Sequence, residues 1–195
     1  MELTIDAKGQ ECPIPVVRAK KALGTIEEGT VAVLVDNETA VHNLENLGRD
    51  LKCAVTSEDA GDGTFRVVLK KTEESAAAAP VEAAGTRVVA FGKAVMGEGN
   101  DELGAKLMNA FVFSLTQQDV LPDTLLFFND GVKLTTEGSP VLDDLKKLAE
   151  AGVEILSCGT CLAFHDWTDK LAVGEVTNMY VIAQKQLEAG VVVRP

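Results

Sequence analysis

The chain has 195 residues, 46% of them hydrophobic and 25% charged, and a formal net charge of −12. That length suits one or two globular domains, and an acidic surface with no Lys/Arg run longer than two residues argues against nucleic acid as a direct ligand. No apolar stretch reaches the roughly 18 residues of a membrane span, the opening residues lack the basic and apolar regions of a signal peptide, and four cysteines are too few for a disulfide framework, so a cytoplasmic protein with free thiols and no membrane partner is expected.

Residues 2–6 alternate Leu3 and Ile5 with polar neighbours, as a half-buried strand does. A loop over 7–11 leads into Glu11-Cys12-Pro13-Ile14-Pro15. Proline is favoured in the first helical turn, where its missing N–H would be unpaired anyway. A helix is therefore expected over 13–23, with Cys12 as its N-cap and Gly24 at its end. Helix N–H groups and the positive end of the dipole would then face the Cys12 sulfur and favour its reactive thiolate. Glu11 opposes this by like charge, and Lys8, Arg18 or Lys20 are candidates to offset it.

The β-branched run over 30–36 reads as a buried strand. Val41, Leu44 and Leu47, three apart, predict a helix over 38–49 with Gly48 near its end. Strands over 52–57, which contains Cys53 as a packing residue, and 64–70 flank an acidic, Gly-containing turn at 58–63. This β-α-β-α-β-β order predicts a two-layer sandwich over 1–71. Residues 72–85, charged and then Ala-rich, read as a linker to a second domain over 86–195.

The second domain alternates strands and helices. Strands are expected over 87–91, 124–128, 153–157 and 191–193. Helices are expected over 101–115, 141–151, 164–171 and 178–187, the first with Leu103, Leu107, Ala110, Phe111 and Ser114 on one side. The alternation predicts a three-layer α/β/α domain with a mostly parallel sheet. In such a sheet, sites form beyond the carboxyl ends of the strands. The Gly97-Glu98-Gly99-Asn100 loop, the Asn129-Asp130-Gly131 turn and the Cys158-Gly159-Thr160-Cys161 segment all follow predicted strands and are expected along one edge. The glycine loop lacks the G-K-[ST] ending of a P-loop.

Cys12-Pro13-Ile14-Pro15 and the element order over 1–71 resemble the TusA/SirA family of small sulfur carriers. That resemblance implies that Cys12 accepts sulfane sulfur as a persulfide, with Pro13 and Pro15 as the structural part of its motif. Residues 86–195 resemble the DsrE-like fold, through residues 97–104, 128–134, 158–162 and 174–180. Together, the two halves resemble the YedF-like family of sulfurtransferase-like fusions associated with selenium metabolism. The resemblance implies sulfur or selenium delivery from a cysteine desulfurase or another donor to an acceptor protein, and self-association through 86–195.

Within this frame Cys12, Cys158 and Cys161 are the candidate reactive thiols, supported by Pro13, Pro15, Gly97, Gly99, Asn129, His165 and Asn178. The Cys158–Cys161 spacing permits a reversible disulfide, or a persulfide on one thiol resolved by the other with release of sulfide or selenide. A thioredoxin-like reading is disfavoured, because that motif follows the first strand of its domain rather than the third. Cys158, Cys161 and His165 also have a C-x2-C-x3-H spacing, but structural zinc takes four ligands, and Cys12, His42 or Cys53 would have to come from the other domain. Neither a metal nor a cofactor is expected. The alternative function is a redox-sensing or docking module that transfers no sulfur.

Overall fold

A computed structural model of the protein describes residues 2–72 and 85–195, apart from the side chain of Asp50. The chain divides into two compact units, one holding 2–72 and the other 85–195. Of the linker expected over 72–85, residues 73–84 lie outside the described residues.

The first unit runs β1 (Glu2–Asp6), α1 (Ile14–Gly24), β2 (Gly29–Val35), α2 (Glu38–Asp50), β3 (Ala54–Gly61) and β4 (Thr64–Lys71). Its sheet has the order β1-β2-β4-β3, with β1 parallel to β2 and the other pairs antiparallel. The register sets Leu3, Val31 and Leu69 in one row and Ile5, Val33 and Val67 in the next. Partners across a ladder share a face, and this face packs on Ala19 and Leu23 of α1 and Val41 and Leu44 of α2. On the opposite face Arg66 joins Glu58 at 3.0 Å and Glu2 at 2.5 Å. One apolar face and one charged face make this the expected two-layer sandwich.

Gly48 falls near the end of α2, as expected, and the helix runs on to Asp50. A Cβ at Gly48 would lie 2.2 Å from Val55 Cγ2, so the glycine lets the helix approach β3. The hairpin is tighter than the expected 58–63 turn: β3 and β4 extend to Gly61 and from Thr64, and Asp62 and Gly63 form the turn with φ of 55° and 71°. Two consecutive positive φ values match the twist of a two-residue hairpin.

The second unit runs β5 (Arg87–Phe91), α3 (Asp101–Leu115), β6 (Thr124–Phe127), a 3-10 helix (Asn129–Thr135), α4 (Leu142–Glu150), β7 (Glu154–Cys158), α5 (Gly159–Phe164), a 3-10 turn (Thr168–Lys170), β8 (Glu175–Thr177), α6 (Met179–Glu188) and β9 (Val191–Val193). All pairs in its sheet are parallel, in the order β8-β7-β6-β5-β9. The chain steps one way from β5 to β8 and then returns across the sheet through α6 to β9. Right-handed crossovers put α6 on the face opposite α3 and α4, so the unit has three layers. Its core centres on the parallel rings of Phe91 and Phe127, with centroids 4.6 Å apart, and the edge of Phe111 at 6.1 Å from Phe91.

Here too the corrections have physical reasons. α3 buries Gly104, Met108 and Val112 and packs Phe111 against the core, whereas Leu103 and Leu107 of the expected stripe are 55% and 45% exposed. The bare backbone of Gly104 abuts the preceding loop, where a Cβ would stand 3.0 Å from Met96 O, and its carbonyl accepts from Met96 N–H at 3.0 Å. That approach rotates the helix by about one position. The helix expected over 164–171 is replaced by α5 and the 3-10 turn, and β8 is an unanticipated edge strand. Among the described residues no helix is long and apolar enough to cross a membrane.

Candidate functional site

Cys12 is exposed and lies one residue before the N-cap of α1 rather than at it. Pro13 occupies the N-cap of α1, Pro15 is buried in the first turn, and Pro13 O accepts the first helical bond from Val17 N–H at 3.0 Å. Pro15 falls at the second helical position, where a missing N–H costs nothing because the first four N–H groups have no partner within the helix, so the helix starts at Ile14 rather than Pro13. Cys12 instead sits in a turn closed by Ile14 N–H on Glu11 O at 3.0 Å. The donor at its sulfur is the Asn43 side-chain amide of α2, 3.5 Å away.

A pocket of about 360 Å³ adjoins Cys12, between Pro15 and Val16 of α1 and Asn37, Ala40 and Asn43 at the start of α2. The loop that carries the thiol is braced from below. Gly9 N–H donates to Asp36 Oδ2 at 2.7 Å, and Arg18 donates to Asp6 O at 2.6 Å and to Gln10 Oε1 at 3.0 Å. The Gly9 N–H, followed by the Asn37 side chain, holds the Asp36 carboxyl below its ordinary range. Arg18 and Lys8, which pairs with Asp6 at 3.6 Å, are thus engaged in the loop.

In the second unit, Cys158 ends β7 and is the N-cap of α5, and Cys161 lies in that helix's first turn. Positions three apart share a helix face, so the two thiols lie on the same side of this first turn. Cys158 is only 1% exposed, whereas Cys161 is partly exposed. The Asn129 backbone N–H, aimed by a φ of 51° just past β6, donates to Cys161 Sγ at 3.1 Å. Burial and the adjacent Cys158 thiol push the Cys161 thiol up from its ordinary value of 9.0, with the Asn129 N–H pulling partly back.

The carboxyl edge gathers most of the expected site residues. Gly97 and Gly99, both at positive φ, share a pocket of about 530 Å³ with Asn129, Asp130, Lys133 and Trp167. The 3-10 helix after β6 fits there because residue 131 is glycine; a Cβ would lie 2.1 Å from Phe91 O. His165 stacks on Trp167 with centroids 4.4 Å apart, and its Nε2 is 3.5 Å from Asp130 Oδ1. Its backbone N–H donates to Cys161 O at 3.3 Å, which ties this aromatic pair to the thiol turn. Asn178 instead caps α6, where its Oδ1 accepts from Val181 N–H at 3.1 Å.

Among the described residues, no three His, Cys, Asp or Glu side chains are arranged to hold a metal ion. Cys53 is buried against the first unit's core, and His42 is exposed and pairs with Glu45 at 3.5 Å. Sequence reasoning singled out His165 and the turn that holds Asp130, but missed Asn43, Trp167 and the meeting of Asp130, His165 and Trp167. No local motif marks Asn43, which meets Cys12 only through the packing of α1 beside α2.

The family described as Sulfurtransferase TusA matches residues 3–71. A candidate sulfur carrier protein of Methanocaldococcus jannaschii is 32% identical over 68 residues, 34% of this chain and 91% of that protein. An uncharacterised protein of the same organism is 25% identical over 183 residues; the match takes in 86% of this chain, hence parts of both units, and this chain spans 63% of that relative's length. A solved SirA-like protein from Desulfitobacterium hafniense is 40% identical, covering 37% of this chain and 100% of that one, with a TM-score of 0.36.

Proposed function

Because this chain belongs, through residues 3–71, to the TusA sulfurtransferase family, we propose that it carries sulfane sulfur as a persulfide on Cys12 and passes it to the Cys158–Cys161 pair. The observation that carries this reading is the exposed Cys12 sulfur beside a 360 Å³ pocket, with the Asn43 amide as its donor. Exposure lets a donor persulfide reach the thiol, and the Asn43 amide gives its sulfur a hydrogen-bond partner beside the pocket. The Cys12 thiolate attacks the outer sulfur of the donor persulfide, the donor's inner sulfur leaves as a thiolate, and Cys12 retains the sulfane atom.

The finer parts of the proposal rest on the sequence resemblance: a DsrE-like second unit, a YedF-like role with selenium as an alternative cargo, self-association through that unit, and a cysteine desulfurase or another persulfide donor as partner. The chain would act in a reducing compartment such as the cytoplasm, where free cysteines persist.

The test is to incubate the reduced protein with a cysteine desulfurase and cysteine, or selenocysteine, and to record intact and peptide masses. The expected result is a sulfur or selenium gain on Cys12 that moves to the Cys158 pair. Cys12→Ser should take up nothing from the desulfurase, and the double variant Cys158→Ser/Cys161→Ser should retain its load on Cys12. No gain on any cysteine would overturn the proposal. The placement of Cys158 and Cys161 in one helical turn favours a second reading, a redox module, for which oxidant alone closes a reversible disulfide and no cargo is ever found.

A further inference from the structure

We infer that the two thiols of the second unit have different and fixed tasks: Cys161 takes the sulfane sulfur, and Cys158 expels it as hydrosulfide. The inference rests on the reading of this chain as a handler of sulfane sulfur, but not on delivery from Cys12. It gives the second unit an activity of its own, reductive cleavage of a bound persulfide.

Access decides the first task. A persulfide on another molecule must bring its outer sulfur to the attacking thiol. Cys158, at the end of β7 and 1% exposed, is closed to that approach, whereas Cys161 is partly exposed. The Asn129 N–H at 3.1 Å favours negative charge on the Cys161 sulfur, both as attacking thiolate and as the inner sulfur of a persulfide. The backbone donor is held in place by the turn after β6, where a Cβ at Gly131 would meet Phe91 O at 2.1 Å.

Proximity decides the second task. Cys158 is the N-cap of α5 and Cys161 lies three positions on in the same first turn, so the two side chains share a helix face. In the loading step, the Cys161 thiolate bonds to the outer sulfur of the donor, the donor S–S bond breaks, and the donor departs as a thiolate. In the release step, Cys158 bonds to Cys161 Sγ while the Cys161 persulfide bond breaks. The outer sulfur leaves as HS⁻ with the proton from Cys158. The sulfane sulfur is reduced to sulfide as two thiols are oxidised to the Cys158–Cys161 disulfide, so the step needs no further reactant. A second turnover requires an external thiol or dithiol to reopen the disulfide.

The experiment uses the full chain carrying Cys12→Ser, so that failure of the Cys12 reading leaves it intact. The reduced protein is treated with glutathione persulfide without oxygen. Sulfide is trapped with a bimane, and peptides are mapped by mass. The expected result is about one hydrosulfide and one Cys158–Cys161 disulfide per chain. Adding Cys158→Ala should trap a stable persulfide on Cys161 and reduce protein-dependent sulfide at least tenfold. Cys158→Ser serves the same purpose if the alanine variant misfolds. Adding Cys161→Ser should abolish both load and release. A persulfide found on Cys158, or sulfide release undiminished without Cys158, would overturn the assignment. A loaded Cys161 that never closes a disulfide while Cys158 is present would overturn it as well.

Discussion

Asn43 donates to Cys12 through a side-chain amide 3.5 Å from the sulfur, on a different helix from the one the Cys-Pro-x-Pro motif opens. Replacing it with alanine removes that donor from an exposed position, so stability should change by less than about 0.5 kcal/mol. Persulfide loading of Cys12 from a desulfurase, followed by intact mass, should slow a few-fold, because the amide no longer holds the sulfur in place. Cys161 offers a pH-dependent readout. Its thiol is held above its ordinary 9.0, first by burial and then by the Cys158 thiol. Its alkylation rate should therefore keep climbing as pH rises past 9 in the folded protein. The sign for stability follows: the folded state holds this proton more tightly, so the contribution is fully present below the unfolded thiol's value and is lost as pH rises through the folded one. A denaturation series across that range checks it. The thiols were legible because cysteine chemistry is tied to short spacings. Asn43 and the meeting of Asp130, His165 and Trp167 were not, since each needs residues from separate elements to come together.

At the level of elements, the carboxyl edge of the second sheet depends on two small features. Asn100 caps α3, its Oδ1 accepting from Leu103 N–H at 2.9 Å, and Asn100→Ala should cost about 1 kcal/mol in thermal or urea unfolding. Gly131→Ala should cost more, about 1–3 kcal/mol or beyond, because the new methyl meets backbone rather than a flexible side chain. It should also displace Asn129 and slow persulfide loading of Cys161, which separates it from the simple cap variant. The ends of β5, α3 and β9 could be read from the chain because hydrophobic runs or an Asn cap coincide with the element limits. β8 could not: Glu175–Thr177 is too short for a period to register, and Val176 is exposed. The buried face of α3 was misread because its leucines advertise a stripe, while Gly104, which has no side chain, sets the rotation.

For the whole molecule, the proposal joins two independently cored units in one chain. A tether of this kind supplies an effective concentration of about millimolar. Mixing Cys12→Ser chains with Cys158→Ser/Cys161→Ser chains at roughly 10 µM should therefore give transfer about 100-fold slower than in the unaltered chain. Time-resolved peptide masses measure this, and equal rates would mean that cargo passes between chains. The division into a β-α-β-α-β-β half and a parallel α/β half was visible in the change of rhythm along the sequence, whereas the pairing order of β9 beside β5 was not, since a three-residue strand carries no information about its neighbour. That order has a consequence for crowded solutions. Both rims of the five-stranded sheet, β8 and β9, are only three residues long. A second copy laid alongside either rim gains few backbone bonds, so runaway strand-upon-strand growth is poorly templated. Assembly through this unit would have to be written in side chains, and would stop when their complementarity is used up.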